Sequence, residues 1–302
     1  MSTFLLLTIT GLGLGAMYFL VASGLSLIYG LMGVLNFAHG AFLTVGAYGT
    51  WFVESKLGGI GSVTLRFLLS ALVGLVVGGV FAALVELVLI RPLYLRHIEQ
   101  VLVTVGLSLA TVALVQGIWG NDARLYAVPG WLHRTTHVGG AAIPNDRWID
   151  IAAAVLVLAG LKGFLRYTRY GLIIRAGVEN RAMVTALGID VRKAFTLVFA
   201  IGGLAAALAG VLSGIYFSEV DPGRGTSLLI FAFIVVVIGG LGSLGGSAVA
   251  AVVVGLLQQY VNYYGSQHGL VSGGDLAVML LLAGVLLVRP AGLAGITATR
   301  AG

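Results

Sequence analysis

Apolar residues run through this chain in long blocks broken by short polar stretches, and the block lengths set the elements to expect. Phe4 to Trp51 is almost continuously apolar. A membrane-crossing helix needs only about 20 such residues for a hydrocarbon core of about 30 Å, so the block is too long for one helix. Gly24, Gly30, Gly33 and Gly40 punctuate it, and the spacing predicts two helices with a broken joint at Leu31–Gly40. Inside that joint Asn36 and His39 are polar groups at or near membrane depth, where backbone leaves a helix only if protein or a wet cavity satisfies it.

Further spans are predicted at Phe67–Ile90, Val101–Trp119, Ile151–Leu165, Phe195–Phe217, Ser247–Tyr264 and Leu276–Val288. Leu228–Leu241 is short for a full crossing and reads as a half-helix. Gly74 and Gly78 form a small-xxx-small pair for close helix contact. Glu86 is the clearest carboxylate inside a span; with Arg91 following, it is expected to snorkel to the interface. Gln116, Gln258, Gln259 and Asn262 read as interhelical hydrogen bonders. Two polar loops stand out, at about 120–150 and about 166–193. The first carries Trp119, Trp131 and Trp148, aromatics suited to a membrane interface.

Composition fixes the solvent. Of the residues 59% are hydrophobic and 9% charged, with mean hydropathy +1.06, which leaves too few polar groups to cover a water-soluble surface. The expected fold is an all-α polytopic membrane protein, one permease-like domain over 1–302 with roughly eight or nine transmembrane helices, some short or broken. With no cysteine, disulfides and Cys-based metal or redox sites are excluded. The net charge of +6 is a topology signal, and nucleic-acid binding is not expected, because the basic residues lack aromatic interleaving. Eleven of the 17 Lys and Arg fall in Arg91–Arg96, Lys162–Lys193 and the C-terminal end. That side is predicted cytoplasmic and 120–150 external, with the side of the N-terminus left open by the broken joint. The first apolar block lacks a basic n-region and reads as an uncleaved span.

Ile28–Tyr48 also aligns with Val237–Leu257: Gly30, Gly33, Leu35, Ala41, Val45 and Gly46 recur as Gly239, Gly242, Leu244, Ala250, Val254 and Gly255. The alignment suggests a two-half repeat. Paired Gly-interrupted segments point to a central substrate path in transporters, so Gly33, Asn36, His39 and Gly242 are the path candidates. Composition alone can also produce such matches, and a lone membrane histidine is as readily a packing group.

No residues suggest catalysis, a metal or a cofactor. Gly240–Gly245 fits the dinucleotide pattern G-x-G-x-x-G, but it lies inside a membrane segment with no acidic residue at the required distance, so it reads as a glycine joint. The chain has no G-x-x-x-x-G-K-[ST], and any use of ATP must come from a partner. Within the basic stretch, Val178, Ala182, Met183, Ala186 and Leu187 share one face of a short helix over Glu179–Leu187, with Gly188 placed to end it. Arg175 and Arg181 flank its polar side. Such a helix either lies on lipid or docks into a groove on a soluble partner.

Three segments carry a resemblance to a known family: Gly24–Tyr48, Arg175–Lys193 and Val235–Leu257. NFAHG at Asn36–Gly40 with ENRAMVTALGI at Glu179–Ile189 is a specific combination. Together the segments resemble the permeases of branched-chain amino-acid ABC importers, in the LivH-type branch. The resemblance implies a multi-pass subunit of the bacterial inner membrane working with a second permease, two cytoplasmic ATPases and an external solute-binding protein, with an amino acid as substrate. It also implies that Glu179, Asn180, Arg181, Ala182, Met183, Ala186, Leu187 and Gly188 form the coupling helix that contacts the ATPase. Asn180 departs from the wider importer motif, which often has Ala there. Permeases for urea or short amides look similar, and an ion-coupled secondary transporter is the rival class, motivated by Glu86 and His39.

Overall fold

The computed structural model describes residues 2–294 apart from Leu95, Tyr126, 180–183, 185–187 and Ile189, and of Val178 and Glu179 the backbone only. Its described residues form the helices α1 (Ser2–Met32), α2 (His39–Lys56), α3 (Val63–Val85), α4 (His97–Trp119), α5 (Asn145–Tyr167), α6 (Arg169–Glu179), α7 (Val191–Tyr216), α8 (Arg224–Gly239), α9 (Leu244–Gln267) and α10 (Gly273–Val288). A π-helical turn, Glu86–Ile90, and a 3₁₀ turn, Arg91–Leu93, extend α3. Six helices are long and apolar enough to cross a membrane, and α8 and α10 are shorter apolar helices. The protein is an all-α, multi-pass membrane protein, with one addition that the sequence did not suggest. In the 120–150 loop β1 (Thr135–Val138) and β2 (Ala141–Pro144) pair antiparallel around Gly139 and Gly140, both at positive φ.

The solvent-facing rule is inverted, as lipid requires. On α3 the outward side chains are Leu68, Leu72, Val76 and Val80, all more than half exposed. Its inward face carries Gly74 and Gly78, and small residues there let backbones approach. A Cβ at Gly74 would lie 2.5 Å from the Gly46 carbonyl of α2; one at Gly78 would lie 2.5 Å from Ala207 Cβ of α7. On α4 the buried stripe is polar, Gln100, Thr104, Ser108 and Thr111, while Ile98, Leu102, Leu109 and Leu114 face outward.

α1 sits at the centre. Every residue from Gly13 to Ile28 is buried, the mark of a helix surrounded by protein on all sides. Gly11 and Gly15 bring it onto α9, where a Cβ at Gly15 would lie 2.5 Å from the Ala251 carbonyl. Buried polar links cross the same helices: Tyr18 donates to Gln258 Oε1 at 2.6 Å, and Gln258 Nε2 donates to Asp275 of α10 at 2.6 Å. Asn262 accepts from the Gly274 amide at 2.8 Å, so Gln258 and Asn262 bond between helices as the sequence suggested.

Contacts sort the ends of the helices onto two faces. Ser2 and Leu5 lie at the Gly139–Gly140 hairpin, and Arg124 exchanges backbone hydrogen bonds with Val220. Residue 2 is therefore on the same side as the 120–150 loop. On the opposite face, Met32 and Tyr94 pack with Val184, Val191 and Phe195, which joins the Arg91–Arg96 and Lys162–Lys193 segments as the charge count required.

Two boundaries differ from expectation. α5 begins at Asn145, so Asp146, Arg147, Trp148 and Asp150 belong to its first turns instead of a loop; ion pairing among them removes the polarity signal that seemed to end the span. The basic stretch contains α6, a separate helix whose Ile174 is fully buried while Tyr170, Leu172 and Arg175 are exposed. Thr168 caps it by accepting from the Gly171 amide at 3.0 Å.

Candidate translocation and coupling site

The break after α1 is built by Gly33, whose φ of +64° suits glycine and ends the helix. The chain then turns back so that α2 starts beside the middle of α1. Asn36 makes this turn possible: its Oδ1 accepts from the Ala38 amide at 3.0 Å and its carbonyl accepts from the His39 amide at 3.3 Å. Its Nδ2 is buried with no partner. His39, at the first position of α2, is fully buried, with Nε2 3.1 Å from the Val21 carbonyl and the ring edge-on to Phe42. Gly24 leaves room for it, since a Cβ there would lie 2.7 Å from the imidazole Cε1.

The aligned glycines form a second break of the same kind. Gly240 and Gly242 have φ of +96° and +84° between α8 and α9, and Ser243 caps α9 by accepting from the Gly246 amide at 3.0 Å. Gly33 and Gly242 thus hold equivalent left-handed positions in the two aligned segments. The two breaks also meet: a Cβ on Gly30 would lie 2.7 Å from the Gly242 carbonyl. Gly240–Gly245 is a joint between two helices, as its membrane setting implied.

Asn36 lines a small cavity with Leu25, Leu35, Phe37, Leu229 and Phe233. On the far side of Phe37 and Phe233, whose ring centroids are 5.9 Å apart, lies an apolar groove of about 430 Å³ that also takes in Ser108 and Thr226. The structure therefore brings Asn36 near a groove and sets His39 behind it among packed side chains. Gly33 is left exposed, with nothing within 4 Å of the position a Cβ would take.

At the opposite end of the basic stretch, Asn180, Arg181, Ala182, Met183, Ala186 and Leu187 lie outside the described residues. Glu179 ends α6, Arg175 is exposed on it, and Gly188 is exposed with φ +78°. Val184, which the spacing did not place on the apolar face, is buried with Val191 and Phe195. Asp190 caps α7, its Oδ1 accepting from the Arg192 amide at 3.0 Å.

Sequence reasoning misplaced Glu86. It does not snorkel: the residue is fully buried in the π turn and holds four hydrogen bonds. Arg91 donates from Nε and Nη2 at 3.2 and 3.1 Å, Thr196 of α7 donates at 2.8 Å, and Tyr94 donates through its hydroxyl. Partners contributed by α7 more than 100 residues away are invisible to local spacing.

A family profile described as the permease component of the branched-chain amino acid transport system matches residues 7–289. The chain belongs to this permease family. Among the permease's relatives, the high-affinity branched-chain amino acid transport system permease protein BraD of Pseudomonas aeruginosa is 29% identical over 95% of this chain and 94% of its own. LivH of Escherichia coli K12, of the same description, is 30% identical over 94% and 93%. The fructose import permease protein FruF of Bifidobacterium longum is 29% identical over 84% and 69%. No solved structure matches the permease. The fold and the family agree on a membrane transport permease.

Proposed function

We propose that this permease is the membrane-spanning subunit of an ATP-binding-cassette importer for branched-chain or closely related amino acids, in the inner membrane of a bacterium. It works with a second permease subunit, two cytoplasmic ATPases and an external solute-binding protein. The observation that carries this reading is the family match over nearly the whole chain in a sequence without a phosphate-binding loop: transport energy has to enter through a protein contact. The entry point is the cytoplasmic stretch with Arg175, Glu179–Gly188 and the Asp190-capped start of α7.

In this reading Asn36 flanks the substrate path through the groove behind Phe37 and Phe233, with His39 anchoring the start of α2. Gly33 and Gly242 are the points where the two repeats yield as access alternates. Ion coupling gains no support from Glu86, which is held in a satisfied network instead of standing free to bind a proton or cation. The fructose importer among the relatives makes solute identity the property to measure. The deciding experiment reconstitutes the full complex and follows leucine, isoleucine and valine uptake with and without ATP. Uptake that needs ATP and ignores a collapsed proton gradient is expected; uptake that ignores ATP and follows the proton gradient overturns the reading.

A further inference from the structure

A fully buried carboxylate at the cytoplasmic end of a lipid-facing helix is costly. Replacing a buried ion pair by apolar side chains of similar size is often neutral or stabilising, so stability alone does not explain why one is kept. Glu86 also sits in a π-helical turn, an irregularity frequently found at functional positions. Its partners come from two helix ends: Arg91 and Tyr94 follow it in α3's extension, and Thr196 lies in the second turn of α7. Arg91 Nη2 donates to the Thr196 hydroxyl as well, at 2.6 Å, closing a ring of contacts.

Tyr94 joins that ring to the cytoplasmic segment. Tyr94, which donates to Glu86, packs edge-on against Phe195 with ring centroids 5.8 Å apart. Phe195 and Tyr94 belong to the cluster that receives Val184. Met32, the last residue of α1 before Gly33, packs against the same cluster. A displacement of Val184 thus presses on a cluster that includes the end of α1 where the Gly33 break begins and the Tyr94 side chain that holds Glu86.

We propose that Glu86 is a positioning residue that latches α3 to α7 through Thr196 and Arg91, and that Tyr94 makes this latch responsive to movement of the cytoplasmic segment around Val184. Fully satisfied, the polar ring favours one discrete arrangement of the two helix ends; with Tyr94 withdrawn, it favours another. The inference rests on the reading of the permease as an ATPase-driven subunit.

The test uses the assembled complex in proteoliposomes and measures ATP hydrolysed per solute taken up. Thr196→Val keeps shape and removes one donor to Glu86. The triple change Glu86→Met, Tyr94→Phe, Thr196→Val replaces the ring partners of Arg91 by apolar groups, leaves the part-exposed Arg91 to reach water and avoids an unpaired buried carboxylate. Both are expected to assemble with near-normal melting temperature while the ATP-to-solute ratio rises about five-fold or more, the lower end of a typical coupling energy. Restoring Glu86 and Thr196 in the triple background leaves Tyr94→Phe, and the ratio is expected to stay raised because the hydroxyl that joins the latch to the Val184 cluster is still missing; a return to the wild-type ratio would overturn the role given to Tyr94. An unchanged ratio in Thr196→Val overturns the proposal whether or not the triple variant assembles. Wild-type uptake that needs no ATP would instead overturn the transport reading.

Discussion

Gly30 and Gly242 meet backbone to backbone at the crossing of the two helix breaks, with no side chain between them. A Cβ on Gly242 would lie 2.6 Å from Gly30 Cα, and Gly242 has φ +84°. An alanine there adds a clash to backbone strain, and neither neighbour is the flexible end of a side chain. Gly242→Ala is expected to destabilise the detergent-purified permease by about 2 kcal/mol or more, from overpacking and the left-handed backbone together. Gly245, with nothing within 4 Å of its added Cβ, is the control. Similar melting curves for the two variants would show that the crossing tolerates separation.

His39 and Asn36 are close in sequence and differ in surroundings. His39 is enclosed by Val21, Gly24 and Phe42, whereas Asn36 borders a cavity with an unpartnered Nδ2. His39→Ala is expected to cost about 2–4 kcal/mol of stability through the cavity and the lost hydrogen bond, with the KM for solute unchanged in the protein that survives. Asn36→Ala also frees the turn into α2, but its signature is expected to be a raised KM. The opposite assignment of the KM effect would place the histidine, and not the asparagine, on the path.

Much of this was legible in the sequence. Block length against membrane thickness located the spans, and the glycines of Leu31–Gly40 located a break that runs from Gly33 to Ala38 between α1 and α2. What escaped was whatever depended on distant partners. Glu86 reads as a carboxylate near an interface until Thr196 and Tyr94 are brought to it. Arg147 and Asp150 read as loop charges until the ring of Tyr216 covers one and burial encloses the other. Val184 failed a local periodicity test because its apolar neighbours, Val191 and Phe195, lie across the turn into α7.

Charge and shape in the basic stretch around Arg175–Gly188 make a separate prediction. If the segment docks on an ATPase, Arg175→Glu, Arg181→Glu and Ala186→Asp should each leave the membrane helices folded while raising ATP consumption per solute. Charges at the rim of an interface act mainly on association and its salt dependence, so if the arginines meet the ATPase at such a rim, both reversals are expected to be partly masked above physiological salt. Ala186→Asp is expected to be insensitive to salt. Pull-down of the ATPase by all three at wild-type strength would favour a segment lying on lipid.

The end of α5 next to β2 holds a further group of buried charges. Arg147 stacks on Tyr216 at 3.3 Å from the ring centre, pairs with Asp146 at 3.3 Å and stands 3.9 Å from Asp150, while Gly13 of α1 leaves the space its stem occupies. Asp150 Oδ2 has no hydrogen bond and depends on that nearby cation. Removing the cation with Arg147→Met strands a buried acid and is expected to cost about 3 kcal/mol or more. Adding Asp150→Asn to Arg147→Met should recover a large part of the loss, because the stranded charge is gone even though the cation–π contact with Tyr216 is not restored. Melting temperatures of the single and double variants check this: a double variant no more stable than Arg147→Met would mean that the stacking on Tyr216, and not the charge of Asp150, is what Arg147 contributes to the join between α5 and α7.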